Sequence, residues 1–402
     1  MHTVSTFLSD LGYIALTLTQ DIWFQLPAEI LVSRYHDINA KADDRLVKRL
    51  GSAAHAENLQ QSIIFGAGKR CAPNQPQTVA CYPLPESPLP SDVYGANTDT
   101  IMGSNRYTST RQRYLNSGYI LGPVGDMRKM FRRAQEKVDA VKDHSDWDNG
   151  SGTADFMYHG SDQSIFNSML GEQEFQREVM RRRHRTTSDK LRGVGKAPKP
   201  TWIEGTLVED PLNPSFTHEP WEAKAGKPDE FGMGLDYFSE LGQQTANAER
   251  DGRWVVYNGN VTRQTRARHM YDCPSRVTPT LPADISTSRP PYGKAGTNQS
   301  HDALVPIAGW RDVPLYTNVC LDTIPVMIHH NGDKAARERN WRELWLQPHA
   351  RALLRNVTDP NGESSRGKKG GTQVGAMDGS SFLTWKELCP RRMEAELFRN
   401  AD

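Results

Sequence analysis

No apolar run in the 402-residue chain approaches the roughly 18 residues that a membrane-spanning helix needs, so no such helix is expected. The opening stretch, MHTVSTFLSDLGYIALTL, has neither a basic leader nor a small-residue cleavage site and does not read as a signal peptide. Charge of one sign is also missing. Lys and Arg number 49 against 48 Asp and Glu, and a net charge of +1 gives no argument for nucleic acid or a membrane surface as partner. The five cysteines form no C-x-x-C pair, which removes the common zinc patterns. No G-x-S-x-G elbow is present, so an α/β hydrolase built on Asp162 and His329 would have no nucleophile. There is no internal repeat.

What is present suits a globular protein with long loops: 37% hydrophobic residues, with 25 Pro and 32 Gly spread along the chain. That length supports one elaborated domain or two. Cys71 and Cys81 flank a Pro-rich loop, CAPNQPQTVAC, and read either as a local disulfide or as two buried thiols. Sequons at Asn149, Asn260, Asn298 and Asn356 lean weakly toward the secretory pathway.

Strands alternate with helices along the sequence, which implies α/β architecture. Residues 13–18, 62–68, 114–122 and 324–332 read as strands, and those near Leu18, Ile64, Ile120 and Met327 are expected in one central sheet. Residues 27–50 read as a helix with proline in its first turn. A second helix follows Val124, with Met127, Phe131, Ala134, Val138 and Val141 on one face. A third starts at Ser161 or Asp162. Residues 181–230 and 273–315 read as insertions or loops, 333–356 as a helix kinked at Pro348, and 357–381 as a disordered linker within a tail over 346–402. The basic run over 177–199 has no interleaved aromatics and reads as a solvated helix end.

Candidate chemistry sits at element ends. Asp21 ends a strand beside Trp23, Asp162 opens a helix, Asp236 follows GMGL, and His329 and His330 end a strand before Asn331 and Gly332. Each alone is an ordinary cap or turn residue. Together, with glycines that let a ligand approach the backbone, they point to one cleft.

Five segments carry a resemblance: FGAGKRCAPN, YLNSGYILG, SDQSIFN, GLDYFSELGQQ and IHHNGDK, in that order. They resemble the glycosyltransferase domain of the procollagen galactosyl- and glucosyltransferases, including the one fused to lysyl hydroxylases, in the style of a fungal branch. The resemblance spans about residues 13–345. It implies a GT-A-like, Rossmann-like mixed sheet flanked by helices, incomplete at its N-terminal side. It also implies a UDP-sugar donor, manganese, a protein or glycan acceptor, and an ER or Golgi location. Carried over residue by residue, Asp21 and His329 would bind the metal, and Asn116, Ser117, Gly118 and Asp236 would line the donor pocket. Asp162 and Gln163 would act at the sugar. The chain departs from the pattern at Leu18 and Ser161, which stand where the family has acids, and at Gly68 and Ala72. These departures imply either weak activity or a non-catalytic relative that binds glycan or protein.

Overall fold

The computed structural model describes residues 4–7, 13–18, 21–74, 78–81, 83–99, 106–142, 161–184, 227–265, 273–289, 309–347, 371–376 and 379–384. The strands in chain order are β1 (Val4–Phe7), β2 (Tyr13–Leu18), β3 (Ile22–Phe24), β4 (Ile63–Gly68), β5 (Tyr114–Pro123) and β6 (Met233–Asp236). They continue with β7 (Gly242–Gln244), β8 (Gly252–Val256), β9 (Pro314–Asn318), β10 (Met327–His329), β11 (Gly371–Ala376) and β12 (Gly379–Thr384). The helices are α1 (Ala28–Leu50), α2 (Ser52–Ala56), α3 (Val124–Lys142), α4 (Asp162–Arg183), α5 (Val261–Thr265), α6 (Ala283–Ser286) and α7 (Lys334–Glu343). The protein is a mixed α/β structure.

The main sheet runs β1-β2-β5-β4-β6. Its β4–β6 pair is parallel and the others are antiparallel. Between β4 and β5 the register jumps: Phe65 faces Ile120, yet Gly66 faces Asn116. Ser117, Gly118 and Tyr119 therefore bulge out of the ladder, and a bulge re-aims the backbone where it occurs. Met327 does not join this sheet as the sequence reading expected. β10 is the centre of a second sheet, antiparallel to β3 and parallel to β7. The apolar run of β10 specifies burial but not partners, and its partners come from residues 22–24 and 242–244, far away in sequence.

Helix α1 starts after Pro27, whose missing N–H would be unused there. It ends at Gly51, which adopts φ 61°, a conformation that favours glycine. Its apolar face (Ile30, Leu31, Ile38) packs with Ile22, Leu241 and Met327 into one core, against the second sheet. Helices α3 and α4 supply Met127, Met130, Phe166 and Met169 to a second core on the main sheet with Phe65 and Leu235.

Arg177 corrects the reading of the basic run. It is buried, paired to Glu230 through Nε at 2.7 Å and to Glu174 through Nη1 at 2.7 Å, so the run begins inside the protein. Residues 185–199 of that run, and most of the 181–230 insertion, lie outside the described residues. The second insertion is more ordered than expected, since 273–315 contains α6 and the start of β9. Helix α7 ends at Glu343, and Pro348, where a kink was expected, lies with the rest of that stretch outside the described residues. In the stretch read as disordered, 371–376 pairs with 379–384 as an antiparallel hairpin. Its strand-forming residues Thr372, Val374, Phe382 and Leu383 outweigh the Gly- and Ser-rich composition.

Two disulfides close loops, Cys71–Cys81 and Cys273–Cys320. The second joins residues 47 apart, and sequence gave no signal for it. A buried ion pair anchors the end of β4. Lys69 Nζ lies 2.8 Å from Asp251 Oδ2, with both side chains at 0% exposure, and also donates to the Thr108 carbonyl. Tyr94 donates to the same carboxylate at 2.8 Å. Removing one partner of such a pair leaves the other charge buried alone, which costs about 3–5 kcal/mol. Lys69→Ala is therefore expected to lower the stability read from urea unfolding by that amount. Lys41→Ala, which removes the exposed pair to Glu240, is expected to change it by less than about 1 kcal/mol.

Candidate functional site

The site is built where the two sheets meet. His329 ends β10 opposite Ile22 of β3 and Gln244 of β7. Its imidazole lies against the bulge in β5, and a Cβ at Gly118 would fall 2.0 Å from His329 Cε1. Only glycine fits there. The Gly118 N–H donates to Asn116 Oδ1 at 3.1 Å, and Asn116 Nδ2 donates to Gln163 Oε1 at 3.0 Å. Gln163 Nε2 in turn donates to the Ala72 carbonyl, which also accepts from Asn167 at 3.1 Å. The chain of contacts from His329 through Gly118 and Asn116 to Gln163 thus unites residues from β10, β5 and the start of α4.

The turn after His329 is fixed from both sides. The His330 N–H donates to the Asp21 carbonyl at 2.6 Å. Asn331 Oδ1 accepts from the N–H groups of Thr245 and Ala246, and the Gly332 N–H donates to Thr245 Oγ1. Asp21, His329, Gly118, Asn116 and Gln163 are therefore brought together. Ser117 is buried beside them, and Asp162 stands exposed at the head of α4, next to Gln163.

Asp236 is differently employed. It is buried, and its Oδ2 accepts from the N–H groups of Leu241 and Gly242 while Oδ1 accepts from that of Glu240. The Tyr119 hydroxyl lies 3.0 Å from Oδ2. Both oxygens are spent on holding the 236–242 turn, so the acid organises the fold and is not presented to a ligand. Burial pushes its pKa up to about 6 against the pull of the three backbone N–H groups.

The sequence reading missed the cations. Asp21 accepts from Arg337 Nη1 and lies 3.2 Å from Lys334 Nζ. Both lie on α7, three residues apart, so they project from one face of the helix. That spacing was visible in the sequence, but its target was not. His330 packs on Trp23 with ring centroids 4.2 Å apart, and Trp23 meets Trp341 of α7 at 5.2 Å.

Burial pushes the pKa of His329 down to about 4, helped by Lys334 and opposed by Asp21. The pKa of His330 falls to about 4 through burial, then through His329 and Arg337. Both are neutral at pH 7. The Nδ1 of His329 and both ring nitrogens of His330 are buried without a hydrogen-bond partner among the described residues. A neutral imidazole with an unused nitrogen and a carboxylate are donors of the kind manganese takes. His329 and Asp21 fit that chemistry in part. Leu18 offers no donor, and Asp21 is already engaged by two cations. No family model matches the chain, and no curated protein matches it.

The histidines set a pH dependence. In the unfolded chain they titrate near 6.5, whereas in the folded protein they resist protons until about pH 4. Between these values the unfolded state binds more protons, so stability drops as pH falls through that window. Asp236 acts in the opposite sense between 3.8 and about 6, because its folded-state pKa is raised. Comparison with a variant separates the two effects. In metal-free buffer, His330→Gln is expected to lose less stability than the parent between pH 6.5 and 4, the difference being on the order of 1–3 kcal/mol. Parallel unfolding curves across that range would show that His330 is not held neutral.

Proposed function

We propose that the chain is a glycosyltransferase-like protein of GT-A type that takes a hexose from a UDP-sugar to a protein or glycan acceptor, with manganese. The observation that carries this reading is the meeting of Asn116, Gly118, Gln163 and His329 at one point. These residues lie in three of the segments that resemble the procollagen glycosyltransferases, and nothing local in the sequence obliges them to touch. The two disulfides support a secretory location, since such bonds persist in oxidising compartments.

Under this reading the amides of Asn116 and Gln163 hold the donor sugar. Their hydrogen bonds to each other, to Gly118 and to Ala72 fix their orientation before the sugar arrives. Asp162 is the carboxylate next to them and faces the anomeric carbon. When the bond from that carbon to the diphosphate breaks, the electron pair goes to the departing phosphate oxygen, the oxygen of an acceptor hydroxyl bonds to carbon in its place, and the hydroxyl's proton is released to solvent. Lys334 and Arg337 stabilise the charge that gathers on the diphosphate. Asp21 and His329 would hold manganese, which supplies further stabilisation of the same charge.

A second reading is favoured by one specific observation. Asp21 is neutralised by Lys334 and Arg337, and Leu18 and Ser161 provide no carboxylates where the resemblance expects acids. That arrangement suits a non-catalytic relative that has kept the cleft and lost the metal site. Calorimetric titration with UDP separates the readings. The transferase reading expects manganese to tighten UDP binding, Asp21→Ala to remove that gain by at least about tenfold, and Arg337→Ala to weaken UDP with or without metal. Absence of heat with UDP under all conditions, in a folded protein, leaves the non-catalytic reading.

A further inference from the structure

A separate cavity of about 480 Å³ opens on the far side of the Asn331–Gly332 turn, within the roughly 300–1,000 Å³ typical of ligand pockets. Thr245 and Asp333, which flank that turn, form one wall, and α7 contributes Asn340 and Arg339. Trp254 and Tyr316 line it as well. Two restraints hold these rings. Trp254 meets Tyr316 edge-on at 5.4 Å, and its Nε1 donates to Asn340 Oδ1 at 3.2 Å. Gly252 leaves room for the Tyr316 hydroxyl, which a Cβ there would approach to 2.1 Å.

The chemistry of this lining narrows the ligand. Acids on the rim (Glu249, Asp333 and Glu343) are nearly balanced by Arg253 and Arg339, so neither an anion nor a cation is selected by charge. Carboxylates accept hydrogen bonds, guanidinium groups donate them, and the Asn340 amide does both. The apolar area comes from a held indole. Tyr316 is 4% exposed and lines the cavity beside the indole. A neutral ligand rich in hydroxyls and with one apolar face meets all of these conditions.

We propose that this cavity binds a neutral pyranose, with the C–H face of the ring on Trp254 and its hydroxyls shared among Glu249, Asp333 and Arg339. Its use as the seat of an acceptor glycan rests on the donor-site reading above. The binding itself does not. The Gly332 turn separates the cavity from His329, and Glu249 lies over that turn, where a Cβ on Gly332 would come within 2.8 Å of its carboxylate. A saccharide here would therefore lie beside the donor cleft.

The test is a titration of the full chain with lactose, maltose and chitobiose, followed by calorimetry and by tryptophan fluorescence, with UDP titrated in parallel. At least one saccharide is expected to bind. Trp254→Phe is expected to shift its fluorescence response, and Trp254→Ala to weaken binding by about tenfold. Glu249→Gln, an exposed position that leaves the fold intact, is expected to weaken it as well. Saccharide binding without UDP binding upholds the cavity and removes the donor reading. UDP binding with no saccharide binding overturns the cavity alone. Saccharide binding that neither Trp254→Ala nor Glu249→Gln alters would also overturn it.

Discussion

The His329 ring rests on the backbone of Gly118, and the geometry of the site follows from that contact. It requires a residue without a Cβ at Gly118, and it requires the bulge in β5 that pushes Gly118 out of the ladder. Nearby, the Tyr119 ring lies against Gly66 and Gly242, where a Cβ would come within 3.0 Å and 2.5 Å of it. Three glycines thus let the second sheet close on the first. Asp236 holds the other end of the seam by gathering the N–H groups of residues 240–242. A larger residue at Gly118 would force the sheets apart, and Asn116 and Gln163 would lose their relation to His329.

Closure has an electrostatic consequence. The histidines are driven into a space where their protonated forms are disfavoured, and their pKa values fall to about 4. The charges stay outside that space, with Asp21 between Lys334 and Arg337. Neutral nitrogen donors lie within and a cationic helix face lies at the rim.

Much of this fold was legible in the sequence, for physical reasons that differ by element. Helices α1, α3 and α4 announce themselves through apolar spacing near 3.6 residues and through Pro27 and Gly51. The strands β4, β5 and β10 are apolar runs bounded by glycine or asparagine. The split into two sheets was not legible, because strand pairing is non-local and the partners of β10 are short segments with no pattern of their own. Arg177 looked solvated because its partner Glu230 lies 53 residues away. Asn116, Gln163 and His329 were singled out through the order of motifs, and the structure brings them into a chain of contacts through Gly118. Lys334 and Arg337 were missed because only the fold directs them at Asp21. Asp236 was expected to line a donor pocket, and its oxygens instead accept from the N–H groups of the 240–242 turn.

The most direct test of a single cleft around Gly118 is paramagnetic NMR. UDP and a small amount of manganese would be added to isotopically labelled protein, and the His329 ring and the side-chain amides of Asn116 and Gln163 observed together. One shared cleft predicts that all three signals broaden at the same ligand concentration and that the buried Gln173 amide, which binds the Met233 backbone, does not. Broadening confined to other regions, or of His329 without Asn116 and Gln163, would contradict it.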